Sequence, residues 1–286
     1  MYQLESRADT VLTLTTPATA AGTAYLKFAL GPNSDTILER SFATSPLKVF
    51  ATRGGGIACW AYAATLGGGL VGGDAIHMNI EVGAGARALL TTQASTKVYR
   101  SARSSTQRVS ATVGDGAFLA VVPDPIVCYA AADFAQTQHY ELHTGASMLL
   151  VDWITSGRHA SGERWAFSRY QSRLTIKRDG LPVLHDAVLL EADLDSILER
   201  MRRFDVLLTA VLSGPLVSDV AAAIFDHAAR QPAGRNADLI LSASRIADGV
   251  LLRMAGGSVE RVGGALRDSL RDLYPLLGDD PWSRKW

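Results

Sequence analysis

The residues able to do chemistry in this sequence fall into a few short groups. Gly67-Gly68-Gly69-Leu70-Val71-Gly72 satisfies the pattern G-x-G-x-x-G. In a dinucleotide site such a loop opens a helix whose N-terminal N–H groups meet the pyrophosphate. Here Gly73-Asp74 and then Ile76-His77-Met78-Asn79-Ile80-Glu81-Val82 follow instead. Their alternation is that of a half-buried strand, so the segment reads as a turn between β layers. No Gly-Lys-Ser/Thr P-loop occurs, and nucleotide hydrolysis by this chain is not expected. Ser161, His159 and Asp152 lie near one another in sequence. A triad is a spatial arrangement, however, and no G-x-S-x-G elbow accompanies them. His139, Glu141 and His143 would share one face of a strand, ~6.6–7 Å between successive Cα atoms. They read as a solvated face, since three ligands on one strand make a strained metal site. Cys59 and Cys128 are the only cysteines. They are too few for a disulfide framework or a thiolate cluster and read as buried apolar residues.

The elements that must position these groups are mostly short strands. Val11–Leu14, Thr23–Leu30, Ile76–Val82 and Arg87–Thr92 come first. Gln107–Val113, Ala117–Val122, Phe134–Leu142, Ser147–Thr155, Trp165–Arg178 and Leu181–Leu190 follow. Turn signals separate them every 8–12 residues or so, the rhythm of an all-β sandwich or solenoid. Helices appear late. Asp193 is a candidate N-cap for Leu194–Arg203. Pro215 suits the first turn of Leu216–Arg230, which Gln231-Pro232-Ala233-Gly234 stops. A short helix is expected over Ala265–Leu273, and Leu239–Ser244 pairs with Gly249–Met254. The fold expected is mainly β: one β-rich superhelical or sandwich-like domain over 1–286. Its body covers about 1–190, with two to three helices in a mixed part from about 191 to 286.

Composition narrows the function classes. The chain has 286 residues, with 28 Lys+Arg against 28 Asp+Glu. Zero net charge argues against a generic nucleic-acid or anionic-membrane binder, which needs a cationic surface. Residues 1–143 carry 10 basic and 10 acidic side chains while residues 144–286 carry 18 and 18, so the first half is charge-poor. Ten of the 26 glycines fall between Gly54 and Gly85. Glu5, Arg7 and Asp9 interrupt the N-terminal stretch where a signal peptide needs apolar residues. No apolar run of about 18 residues marks a membrane helix. A soluble cytoplasmic protein is expected.

Two long motifs carry a family resemblance. Gly68-Gly69-Leu70-Val71-Gly72-Gly73-Asp74 is followed by Ala88-Leu89-Leu90-Thr91-Thr92-Gln93-Ala94-Ser95-Thr96-Lys97-Val98-Tyr99-Arg100-Ser101. Together they resemble the signature of the UreD (also UreH) family of urease accessory proteins. Pro46-Leu47 lies upstream of them, and Gln107, Gly116-Ala117, Pro123-Asp124-Pro125, Asp152-Trp153 and Gly157-Arg158-His159-Ala160-Ser161-Gly162-Glu163-Arg164-Trp165 follow in the family's order. The resemblance covers about residues 40–190 well and the C-terminal third weakly. Val127–Ala132 and Asp152–Ser156 depart from the family's usual wording.

The resemblance implies a β-rich superhelical fold and a scaffold rather than an enzyme. Such a scaffold binds apo-urease and recruits a UreF-type accessory protein and a UreG-type GTPase. GTP-dependent insertion of nickel(II) follows, along a route proposed to run inside the scaffold. No tightly bound cofactor is implied, only nickel(II) in transit. Nickel(II) favours nitrogen and oxygen ligands, and a conduit must release what it binds. Isolated carboxylates suit that, and Asp74 and Glu163 are the candidates within the motifs. Lys97, Arg100 and Arg158 would hold those carboxylates or contact urease. The competing readings are structural: Asp74 closing its own turn, and Arg158–Glu163 as a local ion pair. The alternative function is a β-rich ligand-binding or hydrolytic domain that shares the fold.

Overall fold

The computed structural model describes residues 22–53, 56–192, 196–231 and 234–283. The expected strand Val11–Leu14, Gly54-Gly55, the Asp193 cap with Leu194, and the Pro232-Ala233 stop lie outside the described residues. In chain order the strands are β1 (Thr23–Leu30), β2 (Thr36–Ala43), β3 (Leu47–Arg53), β4 (Cys59–Thr65), β5 (Ala75–Val82), β6 (Arg87–Thr92), β7 (Thr96–Val98), β8 (Ser105–Val113), β9 (Phe118–Val121), β10 (Ile126–Cys128), β11 (Asp133–Leu142), β12 (Ser147–Thr155), β13 (Arg169–Arg178), β14 (Leu181–Glu191), β15 (Val206–Ser213), β16 (Leu239–Ile246) and β17 (Gly249–Gly256). The helices are α1 (Ile197–Met201), α2 (Ser218–Arg230), α3 (Val259–Leu270) and α4 (Tyr274–Leu277). The protein is mainly β, as expected.

The strands form two facing sheets. One has seven strands in the order β14-β13-β11-β8-β5-β1-β2. The other runs β16-β17-β15-β12-β9-β6-β4-β3, with β7 and β10 attached beside β12. From β4 to β13 the chain alternates between the sheets, and neighbours in each sheet are parallel. Cys59 lies opposite Ala88, Arg87 opposite Phe118 and Phe118 opposite Ser147. In the other sheet Ala75 lies opposite Thr106, and Thr106 opposite Ala135. One turn of this coil therefore takes about 30 residues, a solenoid period. No strict sequence repeat accompanies it, because stacked positions need to share only their inward or outward parity.

Each face of the larger sheet has its own core. On β12, Met148, Leu150 and Ile154 point at the smaller sheet. Leu149, Val151 and Trp153 point the other way, at α2 and α3. The inter-sheet layer contains Leu26, Phe28, Ile80, Phe134 and Phe167, and the helix layer contains Trp60, Phe118, Ile224 and Leu266. The central strands of the larger sheet are thus covered on both sides. Strands in that position are uniformly apolar, which accounts for the low charge of the first half.

The helices differ from expectation at their ends. Ser196 Oγ accepts from Glu199 N at 3.3 Å and caps α1. Ser258 Oγ accepts from Arg261 N at 3.2 Å and starts α3 six residues before the expected Ala265. The Gly263-Gly264 pair hid that helix, since glycine lowers helix propensity. A Cβ at Gly263 would lie 3.7 Å from the Trp153 ring, an ordinary contact, so α3 packs on the sheet at a distance that a small side chain would also allow.

Candidate functional site

The two long motifs occupy one corner of the coil, on successive turns. Leu70 bridges to Val98, and Val98 pairs with Cys128. Leu70 N donates to Lys97 O at 2.8 Å, and Tyr99 N donates to Leu70 O at 2.9 Å. A Cβ on Gly69 would sit 2.6 Å from Lys97 O, a clash with backbone that demands glycine there. Gly73 at φ +88° then turns the chain into β5. Asp74 closes this turn. Its Oδ2 accepts from Val71 N at 2.8 Å and its own N–H donates to Val71 O at 3.0 Å.

The next turns bring Arg100, Arg158 and Glu163 together. Tyr99 packs edge-on against Tyr129, ring centroids 5.0 Å apart, and the Arg158 guanidinium lies 4.4 Å from the centre of the Tyr129 ring. Arg158 Nε donates to Glu163 Oε2 at 3.0 Å, and its Nη2 bonds Oε1. Ala130 N donates to Glu163 Oε2 at 3.1 Å. The arginine first, and the amide second, hold the Glu163 carboxyl below its ordinary range. Arg100 lines the same surface pocket, while Lys97 is exposed on β7. Asp74 belongs to the glycine turn, so the five motif charges make two groups rather than one site.

A different carboxylate occupies the interior. Asp152 on β12 takes an inward position in the inter-sheet layer. Gln136 Nε2 donates to its Oδ1 at 2.8 Å and its Oδ2 at 2.9 Å. Ser172 Oγ donates to Oδ2 at 2.8 Å, and Gln138 Nε2 lies 3.4 Å from it. Tyr170 Oη is 3.2 Å from Gln136 Nε2, and Tyr140 Oη donates to Gln138 Oε1 at 2.9 Å. Burial pushes the Asp152 carboxyl up, and the Asp186 charge adds to that, while the Ser172 and Gln136 bonds oppose it. The Tyr170 and Tyr140 hydroxyls are pushed up mainly by burial as well.

This cluster walls a cavity of about 190 Å³ between the sheets. Polar groups continue along it: Gln107, Thr92, Gln93, Ser95 and Asp124, with Gly68 of the corner turn at the rim. Thr92 Oγ1 donates to Asp124 Oδ2 at 3.0 Å. A second cavity of about 360 Å³ has Asp152 and Trp153 in its wall as well, so these two residues stand between the two spaces. None of Asp74, Lys97, Arg100, Arg158 and Glu163 lines either one. Among the described residues no three His, Cys, Asp or Glu side chains gather as a metal cage.

The sequence held one missed signal. In Phe134-Ala135-Gln136-Thr137-Gln138-His139-Tyr140 the residues of core parity are Phe, Gln, Gln and Tyr, so two amides point inward. His139 and Glu141 do face outward. Glu141 Oε1 accepts from Gly180 N at 2.7 Å, and His143 Nδ1 lies 3.6 Å from Asp179 Oδ1. His159 and Ser161 sit on an exposed 3₁₀ turn, away from the Gln and Ser partners of Asp152. Cys128 is buried, and burial raises its thiol to about 12, so it is no nucleophile.

Residues 20–286 match the family model described as UreD urease accessory protein. A urease accessory protein UreD of Sorangium cellulosum is 49 % identical over 252 residues, covering 88 % of this chain and 80 % of the relative. One from Anaeromyxobacter is 43 % identical over 244 residues, covering 85 % and 82 %. Urease accessory protein D of Arabidopsis thaliana is 34 % identical over 281 residues, covering 85 % and 96 %.

Proposed function

The chain belongs to the UreD family of urease accessory proteins, and we propose that it is the scaffold through which nickel(II) reaches apo-urease. In this reading the metal is cargo and the chain catalyses nothing itself. A UreF-type protein and a UreG-type GTPase assemble on it, and GTP hydrolysis by the GTPase drives insertion. The protein works in the cytoplasm, where these partners meet. Among the described residues, no helix is long and apolar enough to cross a membrane.

The observation that carries the reading is the Asp152 carboxylate, held by Gln136 and Ser172 in the wall of a largely apolar inter-sheet cavity. Packing alone does not favour it, because a buried charge costs several kcal/mol of desolvation. Carboxylate and amide oxygens suit nickel(II). One carboxylate, whose burial lets a proton compete for it, binds weakly and lets go. Asp124, with Thr92 beside it, offers a second oxygen group nearer the Gly68 rim. On the outside, Lys97, Arg100 and Arg158 serve as contact charges for the partners, with Glu163 fixing Arg158. Asp74 keeps Oδ1 outside its turn bond and is the outer relay carboxylate.

The test is a strain lacking this gene. Urease activity is expected to fall, with poor rescue by added nickel, and the UreF-type partner is expected to co-purify with the restored protein. Full urease activity without the gene rejects the reading. Restored activation by the Asp74→Ala variant, with partner binding intact, would remove Asp74 from the route, and unchanged partner binding by Glu163→Ala would remove Arg158 and Glu163 from the contact surface.

A further inference from the structure

The second cavity leads somewhere specific. On the larger sheet Asp152 lies directly opposite Thr209, Thr209 opposite Arg253, and Arg253 opposite Ser242. Residues opposite one another share a face, and Val211 and Leu251 place that face toward the smaller sheet. A polar row therefore crosses β12, β15, β17 and β16. All four residues line the second cavity. The row ends where the sheets' edge strands β14 and β16 leave the layer open.

At that end one ion pair joins the sheets. Arg253 on β17 reaches across to Asp186 on β14, Nη2 to Oδ1 at 2.6 Å. Asp186 is opposite Leu174, an inter-sheet core residue, which fixes its inward face. Its side chain is 15 % exposed, against 47 % for Arg253. The guanidinium can swing toward solvent while the carboxylate stays.

We propose that the Arg253–Asp186 pair is the cation-selective stop at the far end of the passage. This rests on the reading of the passage given above. A cation leaving Asp152 meets a fixed positive charge, and it proceeds by replacing the guanidinium on Asp186. A monovalent ion gains too little from one carboxylate to displace a bidentate-capable guanidinium. A divalent ion, drawn by Asp152 and Asp186 together, gains about twice the Coulomb attraction. The pair thus selects charge without forming a cage that would trap the metal.

Nickel(II) is paramagnetic, so the test follows its broadening of two NMR signals in the full chain. One is the Gln136 side-chain amide, beside Asp152. The other is the Ile240 methyl, in the wall beyond Arg253's end of the row. In the wild type, nickel(II) alone is expected to broaden Gln136 well before Ile240. Arg253→Met is expected to broaden Ile240 at about tenfold lower nickel(II), the effect of removing one unit charge from a partly buried site. Arg253→Lys and the exchanged pair Arg253→Asp with Asp186→Arg both keep the charge and are expected to behave as wild type. If Arg253→Met leaves Ile240 unchanged while Gln136 still broadens, the stop is rejected and the passage stands. If Gln136 never broadens in the wild type, the passage itself is rejected and the stop with it.

Discussion

The two faces of the larger sheet solve different problems. Toward the helices, Leu89, Phe118, Val151 and Leu208 meet Ile224 and Leu266, and the layer is mostly apolar, its buried Thr91 and Ser147 hydroxyls bonded to Val122 O and Leu216 N. Toward the smaller sheet, Asp152 meets Gln136, Gln138 and Ser172, and Thr209 and Arg253 continue its row, Arg253 reaching Asp186. The inter-sheet layer opens to solvent toward its β14 and β16 edge, where Arg253 is half exposed, while Gln136, Gln138 and Ser172 around Asp152 are buried. A layer built only for stability would carry apolar side chains in those places. In the proposed reading the polar row marks the face that handles cargo, and the more apolar one the face that holds the shape.

That contrast can be broken at several points. Phe118→Ala, in the helix layer, has the largest expected effect on stability, a loss of ~3–5 kcal/mol in urea denaturation. Urease activation by the fraction that remains folded should be normal; a specific activation defect there would erase the division of labour. Gln136→Leu strips Asp152 of its amide partner. It is expected to lower stability by about 1–3 kcal/mol through an under-bonded buried carboxylate, and to lower activation further than that loss explains.

The pH profile is a subtler probe. Burial raises the folded-state value of Asp152 above its unfolded one, so the folded state binds the extra proton. Stability contributed this way is full below the ordinary carboxylate value and declines as pH rises through the raised one. Melting curves of the wild type should show that decline, and Asp152→Asn should lose it. Glu163 behaves oppositely. Arg158 depresses its value, so its contribution is present above the ordinary carboxylate value and disappears as pH falls through the depressed one. Glu163→Gln should remove only that acid-side loss, the smallest effect of the four, because the pair is near the surface.

How far the sequence revealed these two faces follows from the range of the interactions. Strand identity was local and legible: the alternation in Ile76–Val82 and Phe134–Leu142 placed β5 and β11 to within a residue. The corner turns were legible as glycine motifs, but not the reason for their spacing, which is the 30-residue coil that stacks Leu70, Val98 and Cys128. Asp152 stood alone in the apolar run Met148–Ile154, and its partners come from two other strands of the facing sheet. Nothing local announces such a meeting. The motif charges Asp74 and Glu163 were conspicuous for the opposite reason: their bonds close within a few residues, to Val71 and Arg158.

The central claim is that the inter-sheet carboxylate carries nickel(II). The most direct measurement is the nickel content per urease matured with the Asp152→Asn protein, against wild type at equal amounts of assembled accessory complex. The account expects nickel content to drop severalfold while complex assembly is unchanged. Urease filled to the wild-type level by the Asp152→Asn protein would contradict it.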